Sequence, residues 1–168
     1  MSVVTPDALA VALGEELLAQ QKTIAFAESC TGGLASSLVT DVAGSSAYLI
    51  GSVVTYTNDA KHKLLQVKQP TLDAYGAVSE QVACQMAQGA RKLFDSDYGV
   101  GITGNAGPGG SEGKPVGLVY IAIATEDDVY CKELLFTANR MENKLRIALT
   151  AISMVIDILR EKKLEENI

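Results

Sequence analysis

The residues best suited to chemistry are a serine and a lysine, each placed at the end of a strand-like run. Ser29 lies in Ala27-Glu28-Ser29-Cys30-Thr31-Gly32-Gly33. Upstream, Thr23 to Phe26 read as a short buried strand. Downstream, Leu34, Ala35, Leu38 and Val39 recur at helical spacing, so Ser29 falls where a strand hands over to a helix. Ligands of open α/β sheets collect at such carboxyl ends, and the N–H groups of Thr31, Gly32 and Gly33 are the expected donors to an oxyanion there.

A nucleophilic serine needs a base. His62 is the only histidine, and a triad would have to use it. The alternative is a neutral lysine amine, as in serine–lysine dyads. Gly32 stands three residues after Ser29, so a same-helix SxxK arrangement is absent and any lysine must come from another element. Lys61 qualifies: it follows a second strand end and falls in the first turn of a short helix that Asn58 can cap. There the positive helix terminus pushes an ammonium pKa down. If the side chain reaches solvent, that perturbation is small. Cys30 competes as a nucleophile, since thiolates form readily at helix N-termini; its other reading is a small buried side chain beside the serine.

The surrounding elements follow from pattern. Thr5-Pro6-Asp7 starts a helix with Leu9, Leu13 and Leu17 on one face, ending near Gln21. Tyr48 to Tyr56 is a second strand, Pro70 to Tyr75 a short helix, and Ser79 caps a helix with Val82, Met86, Ala90 and Leu93 inward. Tyr98 to Thr103 is a third strand running into a glycine-rich loop, Gly104 to Gly110. Leu118 to Ala124 and Val129 to Thr137 form an antiparallel pair, so the sheet is mixed. Asn139 and Glu142 make a capping-box pattern for a last helix striped by Leu145, Leu149, Ile152, Ile156 and Leu159. The charged tail after Arg160 is expected to be solvated or frayed.

With 168 residues, 48% of them hydrophobic, the chain reads as one domain over 1–168. A net charge of -6 argues against gripping nucleic acid through clustered Lys and Arg. The three cysteines form neither a CxxC pair nor a zinc set. No apolar run approaches a membrane span of about 20 residues, and a soluble cytoplasmic protein with a small-molecule partner is expected. GxxxxGK[ST] is missing, which disfavours nucleotide triphosphate hydrolysis.

Five ordered motifs carry a resemblance: AESCTGG at 27–33, VTYTNDAK at 54–61, GAVSE at 76–80, ITGNAGPGG at 102–110 and KPVG at 114–117. Together they resemble the CinA C-terminal domain family, the nicotinamide mononucleotide deamidases. The resemblance implies an α/β fold, a three-layer α/β/α sandwich with a mixed, mainly parallel sheet. It also implies an amidase that converts nicotinamide mononucleotide to nicotinate mononucleotide and ammonia in pyridine nucleotide salvage. No metal or cofactor is implied, and a homodimer or larger homo-oligomer is. By the same resemblance Ser29 is the nucleophile, Lys61 the general base and Tyr56 their neighbour. The expected substrate contacts are Thr31, Gly32, Gly33, Gly104, Asn105, Ala106, Gly107 and Arg140, with the Gly104–Gly110 loop or Arg140 holding the 5'-phosphate. Position 105 departs from the family, which usually has an aliphatic residue there. A serine–lysine amidase or esterase acting on another small substrate, and a non-enzymatic binding module tied to competence or DNA damage, are the alternatives.

Overall fold

Strands form where β-branched and aromatic residues cluster, and a computed structural model, which describes residues 5–168, gathers five of them into one sheet. In chain order the elements are α1 (Pro6–Gln20), β1 (Ile24–Glu28), α2 (Leu34–Thr40), a 3-10 turn (Ser45–Ala47), β2 (Leu49–Val54), α3 (Asn58–Leu65), α4 (Gln69–Tyr75), α5 (Glu80–Phe94), β3 (Tyr98–Gly104), β4 (Leu118–Ala124), β5 (Val129–Leu135) and α6 (Arg140–Glu166). The sheet order is β2-β1-β3-β4-β5. β1 pairs in parallel with both β2 and β3, whereas β4 runs antiparallel to β3 and β5. The carboxyl ends of β1, β2 and β3 therefore open on one edge of the molecule.

Alternation along the strands decides which helix layer each side chain meets. Phe26, Val100, Ile102, Ile121 and Ile123 join the main core with residues of α1, α2 and α6, including Leu13, Leu17, Val39, Ile152 and Leu159. Ala27 turns the other way, packing with Leu65, Val82, Met86 and Ala90 of α3 and α5. The result is a three-layer α/β/α sandwich. On the second face Gly99 and Gly101 permit unusually close approach: a Cβ at either would fall 2.1 Å from Ala87 O or 2.4 Å from Ala83 O. Helix α5 thus lies almost on the β3 backbone.

Several boundaries differ from the sequence expectation for physical reasons. Thr57, not Asn58, caps α3, accepting from the Ala60 N–H at 3.1 Å. Leu93 and Leu145 are exposed, because α5 and α6 turn other residues inward, including Ala83, Ala87, Ile147 and Ala151. The segment after Arg160 is solvated as expected but not frayed, continuing as helix to Glu166, with Arg160 bonding Glu16 at 3.0 Å and Lys162 lying 3.9 Å from Asp128. Among the described residues, no helix is long and apolar enough to cross a membrane.

Candidate active site

Ser29 extends the β1–β3 ladder by one bond, its N–H donating to Ile102 O at 3.0 Å, before the chain turns sharply. Gly32 and Gly33 close that turn with φ of +63° and +96°, a region that residues bearing a Cβ adopt only under strain. Beneath it lies Glu28, a fully buried carboxylate that no sequence motif singled out. Its Oε1 accepts from Thr31 Oγ1 (2.6 Å) and the Ala35 N–H (2.9 Å). Its Oε2 accepts from the Ser36 N–H (3.0 Å) and Ser36 Oγ (2.8 Å). The carboxylate caps α2 from within, a task that Gly33 at the N-cap has no side chain to perform.

Of the three expected oxyanion donors, the Gly32 N–H is spent on Ser29 O at 3.1 Å, while the Thr31 hydroxyl and the Ala35 and Ser36 amides of α2 serve Glu28. Ser29 and Cys30 line the cavity in front of the turn; Thr31, Gly32 and Gly33 do not.

Lys61 reaches that cavity from α3. Its Nζ lies 3.0 Å from Ser29 Oγ, 2.7 Å from Thr55 O and 3.5 Å from Tyr56 O. The residue is 1% exposed. Burial lowers its pKa from 10.5 to about 8, against the opposing pull of the Glu112 carboxylate. A neutral amine has two hydrogens and one lone pair. With Thr55 O, and more weakly Tyr56 O, taking the hydrogens, the lone pair is left to accept the Ser29 hydroxyl proton.

The rival groups fall away on geometry. His62 is exposed and its Nδ1 donates to Val67 O at 2.8 Å, away from the serine. Cys30 lines the cavity, but burial pushes its thiol up to about 12, so it stays protonated at neutral pH.

The rim is built from β2, the β3–β4 loop and the start of α6. Tyr56 is 60% exposed, and its hydroxyl accepts from Arg140 Nη2 at 3.1 Å. Arg140 also donates through Nη1 to Gly107 O at 2.5 Å. It is the first residue of α6, whose cap Asn139 accepts from the Glu142 N–H at 3.0 Å. Asn143, fully buried and absent from any sequence expectation, donates to Ala106 O and Ala138 O at 3.1 and 2.9 Å, locking α6 to the loop. Gly104, Asn105, Ala106 and Arg140 line the cavity, whereas Gly107 stands behind them as the arginine's acceptor.

Glu112 lines the opposite side and was also missed. It accepts from the Ala77 and Val78 N–H groups at 2.8 and 3.2 Å, and from Lys114 at 3.3 Å. These donors outweigh burial and hold its pKa below the usual carboxylate value. Lys114 donates as well to Tyr75 O and Val78 O, so it clamps the α4–α5 connection instead of facing a ligand. The sequence signal for this clamp was Ser111-Glu112-Gly113-Lys114 directly before Pro115, with Glu112 at φ +57°.

The cavity measures about 290 Å³, near the lower end for small-molecule sites, roughly 300–1,000 Å³. A larger groove of about 530 Å³ between β5 and α6 has no hydrogen-bonded nucleophile and base. Among the described residues, no cluster of three His, Cys, Asp or Glu side chains could hold a metal.

Comparison with known proteins agrees with this architecture. The CinA C-terminal domain model matches residues 6–159. A CinA-like protein of Endomicrobium trichonymphae is 46% identical over 96% of this chain and 37% of its own length. Another, from Desulforapulum autotrophicum, is 51% identical over 83% of this chain and 34% of its own length. The chain thus spans about a third of the curated relatives it matches. Among solved structures, a CinA superfamily protein of Escherichia coli superposes with TM-score 0.90 at 33% identity, covering 94% of this chain and 92% of its own. The competence/damage inducible protein CihA of Agrobacterium tumefaciens gives 0.88 at 41%, covering 95% and 99%. With the fold, the ordered motifs and the family match in agreement, the chain belongs to the CinA C-terminal domain family.

Proposed function

We propose that this domain is a nicotinamide-nucleotide amidase, hydrolysing nicotinamide mononucleotide to nicotinate mononucleotide and ammonia through Ser29 and Lys61. The observation that carries the reading is the 3.0 Å contact between Ser29 Oγ and a lysine amine that burial brings toward neutrality. In the first step neutral Lys61 takes the hydroxyl proton while Oγ attacks the carboxamide carbon, placing the negative charge on its oxygen. The adjoining backbone donor for that oxygen is the N–H of Cys30, since those of Ser29 and Gly32 are engaged and Thr31 and Gly33 do not line the cavity. One such donor is worth roughly 3–4 kcal/mol. Collapse breaks the C–N bond, and Lys61 returns its proton to the departing nitrogen as ammonia forms. Water then attacks the acyl-serine with the lysine again as base, releasing the acid and restoring the serine.

Arg140 is the cation positioned to take the 5'-phosphate. It sits at the mouth, half-committed to Tyr56 and Gly107, and guanidinium pairs with phosphate through strong charge-assisted bonds. A dyad with a desolvated base has no evident use in a passive binding module, and this supports the enzymatic reading. Incubating purified protein with nicotinamide mononucleotide and measuring ammonia with the acid product tests it; no turnover by wild type would refute it. A panel of other amides and esters separates this substrate from other serine–lysine chemistry.

A further inference from the structure

One side chain in the cavity has a hydrogen-bonding need that the fold leaves unmet. Asn105 follows β3 with its backbone pinned on both sides, its N–H donating to Leu118 O at 2.9 Å and its carbonyl accepting from Gly117 at 2.7 Å. Its side chain is 8% exposed and lines the cavity, and its Nδ2 is buried with no partner. An unpaired buried amide donor costs about 1–3 kcal/mol. A residue serving only the scaffold would be apolar here.

Strand geometry says which part of a substrate it faces. Ala27 packs on the α3–α5 face, and Ser29, two residues on, shares that side. Thr103 points the same way, bonding Ala77 O at 2.8 Å, and Asn105 comes two residues later. Glu28 is in register with Ile102, so Ser29 is level with Thr103 and Asn105 stands one pleat further, about 7 Å along the sheet. The oxygen of an amide under attack stays roughly 3 Å from the nucleophile, so Asn105 meets an atom farther along the substrate. The loop that carries it also supplies Gly107 O to Arg140, which puts Asn105 between the reacting serine and the rim cation.

Resting on the amidase reading above, we infer that Asn105 is a specificity-determining residue that binds a hydroxyl of the sugar linking the amide-bearing ring to the anionic end. A hydroxyl accepts and donates, which matches a carboxamide presenting an N–H and an oxygen side by side.

The test pairs Asn105→Leu with two substrates, nicotinamide mononucleotide and its 2',3'-dideoxyribose analogue, and adds the thermal midpoint of each free protein. In wild type, loss of the hydroxyls should lower kcat/KM at least ~10-fold. Asn105→Leu should lose about as much on the full substrate, and the two losses should not add. The free variant should melt at or above the wild-type temperature, because an unsatisfied donor has gone. Additive losses, retained preference for the hydroxylated substrate, or a midpoint lower by several degrees would overturn the inference. Asn105→Ala repeats the comparison if the leucine variant fails to fold. Should wild type hydrolyse neither compound, the amidase reading fails and ribose 5-phosphate becomes the probe. A thermal upshift lost in Asn105→Leu then sustains the sugar site, and an equal or absent upshift rejects it.

Discussion

Replacing Lys61 by methionine should change the pH dependence of stability in a way that isolates the buried amine. The side chain is nearly isosteric and the site is 1% exposed, so packing is largely kept. In wild type, burial lowers the folded-state pKa from 10.5 to about 8. Below pH 8 both folded and unfolded lysines are protonated, and the folded protein bears the full cost of a buried cation. Between pH 8 and 10.5 the unfolded chain binds the extra proton, so wild-type stability rises with pH, at about 1.4 kcal/mol per unit. The whole rise is about 3 kcal/mol, and above 10.5 it stops. The methionine variant lacks this contribution, while every other titration is common to both proteins and cancels in the difference. Lost hydrogen bonds to Ser29 and Thr55 offset the difference by a constant without tilting it. Urea unfolding of both proteins at pH 7, 8, 9 and 10 gives the curve directly. A difference that is flat, or that falls with pH, would mean that Lys61 is not desolvated in the folded state, and its role as base would lose its physical support.

The same titration should govern catalysis: kcat/KM for deamidation should rise with pH and level off above about 8, and Lys61→Arg should be nearly as inactive as Lys61→Ala, because guanidinium stays charged. A pH-independent rate, or an active arginine variant, would contradict the proton-transfer role. Glu28→Gln should destabilise by roughly 2–3 kcal/mol, lowering the melting midpoint by about 5–10 °C, since an amide NH₂ must then face donors where the carboxylate accepts four bonds; differential scanning calorimetry measures it, and an unchanged midpoint would deny the carboxylate its capping role. Nicotinamide mononucleotide should be deamidated at least ~100-fold more efficiently than the riboside, equivalent to about 2.7 kcal/mol. Arg140→Ala should erase most of that gap in steady-state kinetics, and a gap left intact would place phosphate recognition elsewhere.

Periodicity made the strands and most helix starts legible, because Thr5, Ser79 and Asn139 are caps whose signal lies within four residues of the helix they begin. The proximity of Ser29 and Lys61 followed from topology: both sit just past the ends of strands that become parallel neighbours, and resemblance pointed to the same pair. Glu28, Glu112 and Asn143 were not legible. Each is a polar residue whose partners are fixed by tertiary packing, and nothing in the local pattern separates a buried, fully bonded glutamate from a solvated one. The inward faces of α5 and α6 differ from expectation at Leu93 and Leu145, which keep the apolar spacing but lie near the end of α5 and near the start of α6. Small residues such as Ala83, Ala87 and Ala151 face inward instead.

The bonds that hold the nucleophile's turn have an unequal span along the chain. Every partner of the Glu28 carboxylate lies within eight residues of it, whereas the lysine contact joins positions 32 apart and the Arg140–Tyr56 contact positions 84 apart. The side-chain bracing of the serine's turn is therefore local, while the serine's reactivity depends on distant parts of the fold. A descendant of this chain could lose Lys61, or shift α3, and still display an intact AESCTGG segment. Within such a lineage the serine motif marks ancestry, and the lysine together with the carbonyls of Thr55 and Tyr56 marks whether the chemistry survives.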